Sequence, residues 1–488
     1  MRRQAGLLML LCSSSLLHTA VHAQPIAQKA QYTLEAGGFA STAGTNPFWV
    51  RSNQYGEVPL ATSGVTVRGQ VKKEYSSSKN KKISYGYGAR AVLNAGATNE
   101  FLLTEAYGKL RYGAFEFYGG RRREIQGLVD TMLTSGSYIW SGNARPMPKI
   151  QLSIPTYTPI LKNGLIAVKG NFAHGWFGNS DSITNGYLHQ KSLYVRLGKP
   201  DWRFKVHAGF NHQVQWGGGL NYLRIDQGVK ITHYGTDLNA FYYVVSGRSL
   251  YSDDTLIVQN NATSAEGGNR VGNHLGTIDL GVEYEDEQNR WFFYRQNIYE
   301  AGALFYLNNI ADGLTGLSFT RKNSRQGIQH IVLEYLHTSD QGGPYSSGRA
   351  GGVPQLRGYE DYFNNGRYLD GWTYANQTIG TPFIMPLQYT TGIPQKLANN
   401  PHYILNNRVN ALTLSVKSRY KRVDLVTRLS FSNNMGNYDT PLSYTQTSIQ
   451  QQILVPIEKY LLKATVGYDT GGVLKENIGT SFFIARTF

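Results

Sequence analysis

Three carboxylates at alternate positions are the first candidates for acid–base chemistry. Glu283, Glu285 and Glu287 share one parity of a predicted strand and its end. Paired carboxylates on one face can cleave a glycosidic bond. The same spacing also predicts a stripe of acidic side chains that balances arginine and lysine on the wet face of a strand. We favour the acidic stripe.

Local motifs for other enzyme chemistry do not occur in the sequence. It contains no HExxH, CxxC, GxSxG or GxxxxGK[ST] pattern, so metal hydrolysis, thiol chemistry, a nucleophile elbow and nucleotide use have no local support. His174, His189 and His212 lie near predicted loops without the spacing of metal ligands. A hydrolase whose serine and histidine lie on different strands stays open as an alternative. We predict a protein that is not an enzyme and has neither metal nor cofactor.

The segment from Thr338 to about Leu405 carries the best candidates for binding a sugar. It sets aromatic rings among arginine, aspartate and asparagine side chains. Aromatic planes can stack on the apolar C–H faces of sugar rings, and arginine can pair with the carboxylates of uronic acids. The polysaccharide-binding candidates in this segment are Arg357, Tyr359, Asp361, Tyr362, Asn364, Arg367 and Trp372. The alternative is a plug or constriction in which the tyrosines form a small packed core.

Two tryptophans outside this segment complete the candidate set. Trp176 lies within the segment from His174 to Gly186, and Trp216 precedes a run of three glycines. These two residues either extend an aromatic platform for sugars or belong to the aromatic belt at a membrane interface.

Apolar and polar residues alternate with a period of two in many windows along the chain. In the window from Gly64 to Tyr75, one parity carries mostly valine, glycine and tyrosine, and the other carries polar and charged residues. One face suits lipid and the other suits water, which predicts an all-β transmembrane antiparallel β-barrel with long extracellular loops. The windows support an even number of roughly 16 to 20 strands. The weakest are Gln31 to Ser41 and Ala114 to Gly119, and the last, Ile478 to Phe488, ends on an aromatic residue.

One stretch has helical rather than strand spacing. Between Arg121 and Leu133, apolar residues recur at intervals that suit one face of a helix. This spacing predicts a small helix at the barrel mouth or in the lumen.

If Phe488 lies in the periplasm, the connections between strands, counted back from the C-terminus, alternate between the two sides of the membrane. Short turns then fall on the periplasmic side and long loops on the external side. Tyr420 to Arg422 and Pro456 to Glu458 become periplasmic turns, whereas Thr338 to about Leu405 lies outside. Further periplasmic turns are predicted at Leu161 to Gly164 and Lys199 to Asp201, and further external segments at His174 to Gly186, Trp216 to Tyr222, Arg248 to His274, Asn434 to Pro441 and Asp469 to Asn477.

The N-terminus has the features of a secretory leader. Two arginines precede an apolar run, and Val21-His22-Ala23 precedes Gln24. We therefore predict a signal peptide over 1–23, cleaved after Ala23, and a barrel domain over 24–488. The single cysteine, Cys12, lies in the leader behind a leucine, where lipoprotein processing requires a small residue. The mature protein is then expected to hold together without disulfides.

The charge of the chain predicts anionic partners. The formal net charge is +16, and removal of the two leader arginines leaves +14. An exported basic protein attracts lipopolysaccharide phosphates, outer-membrane lipid or an acidic polysaccharide, and its compartment argues against nucleic acid. The alternative is that the charges line a watery lumen and solvated loops. The mean hydropathy of −0.36 fits a barrel, because lipid-facing and lumen-facing residues average out.

Several short stretches resemble one family of outer-membrane proteins. The stretches are Asn46-Pro47-Phe48-Trp49 with Ser52-Asn53-Gln54-Tyr55-Gly56, Ser135-Gly136-Ser137 with Asn143-Ala144-Arg145-Pro146, His174-Gly175-Trp176-Phe177, Leu188-His189-Gln190-Lys191, and Asp361-Tyr362-Phe363-Asn364-Asn365 before Gly371-Trp372. On these stretches, the chain from about Glu35 to the C-terminus resembles the Wzi-type capsule assembly proteins of Gram-negative bacteria. The resemblance implies an 18-stranded barrel with a small helical element, acting as a lectin-like anchor for capsular polysaccharide, and it transfers no verified sugar-contacting residue.

The predicted function is non-catalytic attachment or organisation of an acidic capsular polysaccharide at the surface of a Gram-negative bacterium. Phe482, Ile484 and Phe488 share the face of the last strand that the barrel-insertion machinery would engage, although Arg486 interrupts it. The alternative functions are an outer-membrane porin or polysaccharide export channel and a barrel-wall hydrolase. The alternative fold is a soluble secreted β-protein.

Overall fold

The computed structural model describes residues 29–62, 64–75, 83–226, 229–248, 270–300, 302–346, 357–394 and 403–488, so the predicted signal peptide over 1–23 lies outside the described residues. The strands of the described residues, in chain order, are β1 (Gln31–Ser41), β2 (Val65–Lys73), β3 (Ile83–Ala95), β4 (Glu100–Tyr112), β5 (Phe115–Arg121), β6 (Pro148–Pro159), β7 (Ile166–Gly178), β8 (Ile183–Thr184), β9 (Gly186–Leu197), β10 (Phe204–Trp216), β11 (Gly218–Asp226), β12 (Val229–Tyr234), β13 (Asn273–Glu285), β14 (Asn289–Tyr299), β15 (Gly313–Arg321), β16 (Gly327–His337), β17 (Thr373–Tyr374), β18 (Gln377–Thr378), β19 (Val409–Tyr420), β20 (Val423–Gly436), β21 (Pro441–Ile457), β22 (Tyr460–Gly471) and β23 (Asn477–Thr487). The helices in this part of the chain are α1 (Phe48–Arg51) and α2 (Leu238–Ser246), with 3₁₀ turns at Ala303–Tyr306 and Leu387–Tyr389. Neither helix is long and apolar enough to cross a membrane.

Eighteen of the strands close into one antiparallel barrel. Every strand except β8, β11, β12, β17 and β18 pairs with its neighbours in the ring, and β1 closes the ring by pairing with both β2 and β23. Closure leaves no edge strand, which a hydrocarbon surrounding requires because lipid cannot satisfy a free backbone group. The predicted all-β transmembrane barrel and its eighteen strands are confirmed. The two weakest windows of the sequence form β1 and β5.

The barrel wall has an apolar outer face and a polar inner face. On β10, Phe204, Val206 and Phe210 point outward and are exposed, whereas Lys205 and Asn211 point into the lumen and are buried. The same alternation recurs on β3, β13 and β23. Because successive side chains of a strand leave opposite faces, the period of two in the sequence was sufficient to predict this division.

The two ends of the barrel differ in the length of their connections. Phe488 N donates to Tyr32 O at 2.9 Å, so β1 begins at the rim where β23 ends. At this rim, which we call the turn end, short turns such as 421–422 and 458–459 join the strands. At the opposite rim, the loop end, the long connections include 42–64, 122–147, 217–272 and 338–408. The predicted alternation of turns and loops agrees with this arrangement.

The described parts of three long connections fold inward and pack in the lumen at the loop end. We call the described residues of 42–64, 122–147 and 338–408 the plug. Their apolar side chains form one buried cluster with lumen-facing side chains of the wall. The cluster includes Trp49, Ile139, Tyr362, Phe363 and Trp372 from the plug and Leu188, Tyr194, Leu275, Tyr294 and Leu336 from the wall. The main hydrophobic core therefore lies inside the barrel.

The segment 122–133 is irregular, and the prediction of a helix there was wrong. Gly127 has a φ of 115°, and Asp130 Oδ1 accepts a hydrogen bond from Leu133 N at 2.9 Å. Both features compete with helical hydrogen bonding. Leu128 is nevertheless buried in the plug. The apolar spacing signalled burial, which an irregular loop inside a lumen also provides.

Candidate functional site

The connection 338–408 is fixed to the barrel rim at its base. Thr338 Oγ1 accepts from Val409 N at 2.8 Å and donates to Asn407 O at 2.7 Å. Asn407 Nδ2 donates in turn to Tyr362 O at 2.9 Å. These buried polar groups satisfy one another and hold both ends of the connection, together with Tyr362, at the rim.

Two predicted sugar-binding residues lie inside the plug. Tyr362 and Trp372 are fully buried. Tyr362 OH donates to Asp312 Oδ2 at 2.7 Å, and Trp372 Nε1 donates to Ile139 O at 2.8 Å. Tyr138 packs edge-on against Tyr362 with ring centroids 6.1 Å apart. These rings form the packed core that the sequence offered as the alternative, and a polymer lying on the surface does not reach them.

Three further candidates make polar contacts within the plug. Asp361 Oδ1 accepts from Asn364 Nδ2 at 3.0 Å. Asn364 also pairs in both directions with the backbone of Ile404, at 2.8 and 3.1 Å. The Arg367 guanidinium donates to two carbonyls just before β13, at 3.4 and 3.2 Å. These side chains join the connection to itself and to the wall.

Arg357 and Tyr359 lie at the surface of the loop end. Tyr359 is half-buried and stacks on Tyr438, with ring centroids 5.6 Å apart and planes inclined by 23°. The Arg408 guanidinium lies 3.9 Å from the centroid of the Tyr438 ring. The exposed Tyr345 is adjacent, because its carbonyl oxygen touches the glycine between Arg357 and Tyr359. We call Tyr345, Arg357, Tyr359, Arg408 and Tyr438 the aromatic–arginine platform.

Sequence reasoning missed two members of this platform. Tyr438 OH donates to Asp340 O at 2.7 Å, and Arg408 Nε donates to Ser339 O at 3.0 Å. Both residues are thereby anchored to the base of the connection that carries Tyr359. Only the fold brings them together, and the one signal in the sequence was that Tyr438 lies in a predicted external loop.

Tyr359 has an uncommon backbone conformation. Tyr359 has a φ of 59° and Phe363 a φ of 69°, both in the left-handed region. Such conformations cost about 1–3 kcal/mol each in residues with side chains, and they persist only where the surroundings impose them. The burial of Phe363 in the plug supplies that constraint. The platform is therefore a preorganised surface.

A buried carboxyl group, that of Glu300, lies close to the platform. Glu360 Oε1 accepts from Ala303 N at 2.6 Å, and Glu300 Oε1 accepts from Phe363 N at 3.1 Å. Burial raises the pKa of Glu300 well above its usual range, and the carboxylates of Glu360 and Asp361 add to the shift. A raised pKa favours the neutral form of the Glu300 carboxyl group.

A buried ion cluster locks the plug to the wall. Glu57 of the plug accepts from Arg90 of β3 through both carboxylate oxygens, at 2.7 and 3.0 Å. Arg123, also of the plug, donates to the same carboxylate, and Arg68 of β2 lies 3.5 Å from it. Burial raises the pKa of Glu57, but the three arginines outweigh burial and hold it at about 2. The carboxylate therefore stays charged at physiological pH.

The acidic stripe of the sequence is paired with cations. Glu283 contacts Lys205 at 3.1 Å and Arg290 at 2.6 Å, and Glu285 contacts Lys205 at 2.9 Å and Lys322 at 2.5 Å. These contacts support the favoured interpretation, a balanced stripe, over a pair of glycosidase carboxylates, because each of these two carboxylates is saturated by lysine or arginine.

One serine, histidine and aspartate meet beneath the plug without forming a catalytic triad. His330 Nε2 lies 2.7 Å from Asp130 Oδ2 and 3.2 Å from Ser318 Oγ. A triad histidine uses one ring nitrogen for the acid and the other for the nucleophile. Here a single nitrogen faces both partners, and all three residues are buried. The contact ties the plug to β15 and β16.

Two small cavities lie at the plug. One cavity of about 10 Å³ lies within the plug and is lined partly by Tyr55 and Trp140, and another of about 10 Å³ lies between the plug and the wall and is lined partly by Arg51 and Asp469. About one water molecule fits such a volume. No group of three or more His, Cys, Asp or Glu side chains in this part of the chain could hold a metal ion.

The two remaining candidates lie on the outer wall of the barrel. Trp176 is partly exposed on the outward face of β7, and Trp216 is buried at the end of the outward face of β10. The platform, by contrast, is built from connections next to β16, β19, β20 and β21. The structure does not bring the two tryptophans to the platform.

The comparisons with known proteins support a Wzi-like fold. The chain resembles Wzi of Escherichia coli, an outer-membrane protein involved in group 1 capsule assembly that is a carbohydrate-binding β-barrel, with a TM-score of 0.55 and 12% identity over 93% of this chain and 83% of that chain. Two porin-like barrels are less similar: OccD3 (OpdP) of Pseudomonas aeruginosa, with a TM-score of 0.42 and 12% identity over 96% of this chain and 95% of that chain, and OccAB4 of Acinetobacter baumannii, with a TM-score of 0.45 and 9% identity over 95% of this chain and 99% of that chain. No family model matches the sequence, and no curated protein does so either.

Proposed function

We propose that this protein is an outer-membrane barrel of a Gram-negative bacterium that attaches or organises an acidic capsular polysaccharide at the cell surface, without catalysis. The observation that carries the proposal is the aromatic–arginine platform, a preorganised surface above a filled lumen. The fold likeness to the carbohydrate-binding barrel Wzi supports it. The predicted signal peptide over 1–23 supplies the export that this location requires.

The chemistry of the platform suits an acidic glycan. The Tyr345 and Tyr359 rings can stack on sugar C–H faces, and the Arg357 guanidinium can pair with a uronic carboxylate. Each contact is weak when exposed to water, but a polymer engages many barrels at once. Multivalent engagement makes millimolar single-site contacts sufficient to retain the polymer.

Two further partners belong to this proposal. Phe482, Ile484 and Phe488 are exposed on the outward face of the last strand, as recognition by the barrel-insertion machinery requires. Lipopolysaccharide and outer-membrane lipid would surround the apolar outer face of the barrel.

The test replaces the exposed platform residues together. A Tyr345→Ala, Arg357→Ala, Tyr359→Ala variant should bind immobilised polygalacturonate at least about tenfold more weakly than the native barrel, equivalent to ~1.4 kcal/mol. Native binding should weaken as salt rises, because exposed charge pairs are screened. Dextran, a neutral polymer, should bind more weakly than polygalacturonate.

The matched control carries the same residue types at the turn end. Tyr420 and Arg325 are exposed there, and the Arg325→Ala, Tyr420→Ala variant should bind like the native barrel. Heat-modifiable migration on gels establishes that each variant is folded. Unchanged binding by the platform variant, or binding that does not depend on salt, contradicts the proposal.

A further inference from the structure

Helix α2 lies against the outside of the barrel wall. The outward residues of β10 are exposed up to Phe210, but Val214 and Trp216, which have the same parity, are buried. On the neighbouring strands the outward-facing His189 and His274 are buried as well. The covering element is α2, because its Ala240 and Val244 form one apolar cluster with Val214 and Trp216.

The helix is docked through specific ring contacts. Phe241 lies 5.6 Å from Trp216, 5.8 Å from His189 and 6.0 Å from His174, measured between ring centroids. All three partners are on the outward face of the wall. The helix thus continues the outer surface of the barrel rather than the plug.

Both ends of α2 are capped by polar contacts. Asp237 Oδ1 accepts from Ala240 N at 2.7 Å, which satisfies the first turn. At the other end, Lys191 donates to Val245 O and Arg270 Nε donates to Gly247 O at 2.8 Å. Cations at a helix C-terminus also stabilise its dipole. The helix is therefore held in one position on the wall.

The face of α2 that points away from the wall is uncharged. Leu238 is 87% exposed and Tyr242 is 52% exposed, and the polar Asn239 and Ser246 are exposed beside them. The nine residues of the helix include no charged side chain, and the first cation after it is the exposed Arg248. Large apolar and aromatic side chains beside small polar ones, with a flanking arginine, suit a helix at a membrane interface.

The exposed apolar part of β10 is shorter than the lipid-facing band of an outer-membrane barrel, and helix α2 covers the remainder. The eleven residues from Phe204 to Val214 rise about 25 Å across the membrane at a strand tilt of ~40°, which matches the apolar band of outer-membrane barrels. The uncovered part, Phe204 to Phe210, reaches only about 15 Å. The missing ~10 Å is close to the diameter of one helix.

We infer that α2 is a lipid-contacting element of the barrel, whose outer face sits in the membrane leaflet at the loop end. Leu238 and Tyr242 contact lipid there, and Arg248 lies at the headgroups. The occupant is lipid because the helix is continuous with the lipid-facing band of β10 and the adjoining strands. This inference does not depend on glycan binding.

Spin labels at single cysteines test the position of the helix. In a chain carrying Cys12→Ser, labels are placed at Leu238→Cys or Tyr242→Cys, with Phe210→Cys as a lipid-facing reference and Tyr345→Cys as a water-facing reference. After reconstitution in phosphatidylcholine nanodiscs, collision rates with oxygen and with a water-soluble nickel chelate are measured. The oxygen-to-nickel ratio at both helix positions should shift to the level of the Phe210 label.

Two outcomes overturn the inference. A ratio at positions 238 and 242 equal to that of the Tyr345 label means that the helix faces water. Dipolar broadening that disappears when labelled protein is diluted with unlabelled protein means that a second copy of the chain covers the helix. Heat-modifiable migration confirms that each labelled barrel is folded, and the two helix positions check each other.

Discussion

Glu57 is the residue at which the plug and two barrel strands meet. Its carboxylate is buried among Arg68, Arg90 and Arg123. A Glu57→Gln substitution keeps the shape but removes the carboxylate that the three arginines share. Arg68 keeps Glu35 and Arg123 keeps Glu105, whereas Arg90 loses its ion-pair partner among the described residues. Loss of one member of a buried pair costs about 3–5 kcal/mol. We expect a lower midpoint of thermal unfolding in detergent. The control Glu287→Gln, an exposed turn residue, should leave the midpoint unchanged, and equal midpoints for all three proteins contradict the prediction.

The same carboxylate predicts an acid dependence of stability. Its pKa in the folded protein is about 2, below the unfolded value, so protonation favours the unfolded state. The stabilisation is complete above about pH 4.5, is lost as the pH falls towards 2, and amounts to about 3 kcal/mol. The difference in unfolding midpoint between the native protein and Glu57→Gln should therefore shrink across this range. A difference that stays constant with pH contradicts the assignment.

Residue type alone did not distinguish aromatic residues that lie at the surface from those buried in the plug. Tyr359 and Tyr362 are three positions apart among similar neighbours, yet Tyr359 stacks at the surface and Tyr362 is fully buried. An aromatic residue among arginines and asparagines suits a sugar site and also suits a plug with buried hydrogen bonds. The choice depends on Asp312 and Ile139, which come from distant parts of the chain. The sequence therefore supplied the candidate loop but did not separate its surface residues from its buried ones.

Among the elements, the plug and the wall should have separable stabilities. The wall is held by strand ladders, whereas the connection 338–408 is held by its base contacts and by Trp372. Truncation of a fully buried tryptophan costs about 3–5 kcal/mol. In Trp372→Ala, hydrogen exchange should rise within the described parts of 338–408 and stay unchanged in the ladders of β20 to β22.

The control for this prediction is an exposed tryptophan at the turn end. Trp202 is exposed, so Trp202→Ala should leave exchange in 338–408 unchanged. An equal rise of exchange in the strands and the plug of Trp372→Ala would mean that the two parts unfold as one unit. No rise in either part would mean that Trp372 does not hold the plug.

Strands were predictable from the sequence and inserted elements were not. A strand that separates lipid from water imposes alternation residue by residue, so even the weak windows of β1 and β5 were found. The segment 122–133 and helix α2 do not show this alternation of apolar and polar residues. The first is irregular and apolar because it fills a lumen, and the second covers outward-facing histidines of β9 and β13 that a lipid-facing strand would not carry. In both cases, burial comes from a tertiary contact that no local pattern encodes.

At the scale of the whole molecule, the arrangement has a filled interior and functional groups on its outer surfaces. The plug spans the lumen and packs against β9, β13, β14 and β16, while the platform faces outward at the loop end. A porin or export channel, the alternative from sequence, needs a continuous aqueous path through the lumen. The packed cluster of plug and wall side chains argues against such a path at the loop end. The ion conductance of the intact barrel therefore distinguishes an anchor from a channel.

We expect the purified barrel to be nearly silent in planar bilayers, because side chains of the plug occupy the cross-section that ions would use. Replacement of residues 340–407 by a short glycine–serine turn joins Ser339 to Arg408 near the paired ends of β16 and β19. That variant should conduct, with a current that rises as the remaining plug segments loosen. Replacement of 237–247 by a linker of equal length removes α2 from the outer wall and should leave the bilayer silent. Steady conductance by the native barrel contradicts the filled lumen, and silence of the 340–407 variant, once its folding is established, means that 42–64 and 122–147 close the barrel without the longest connection.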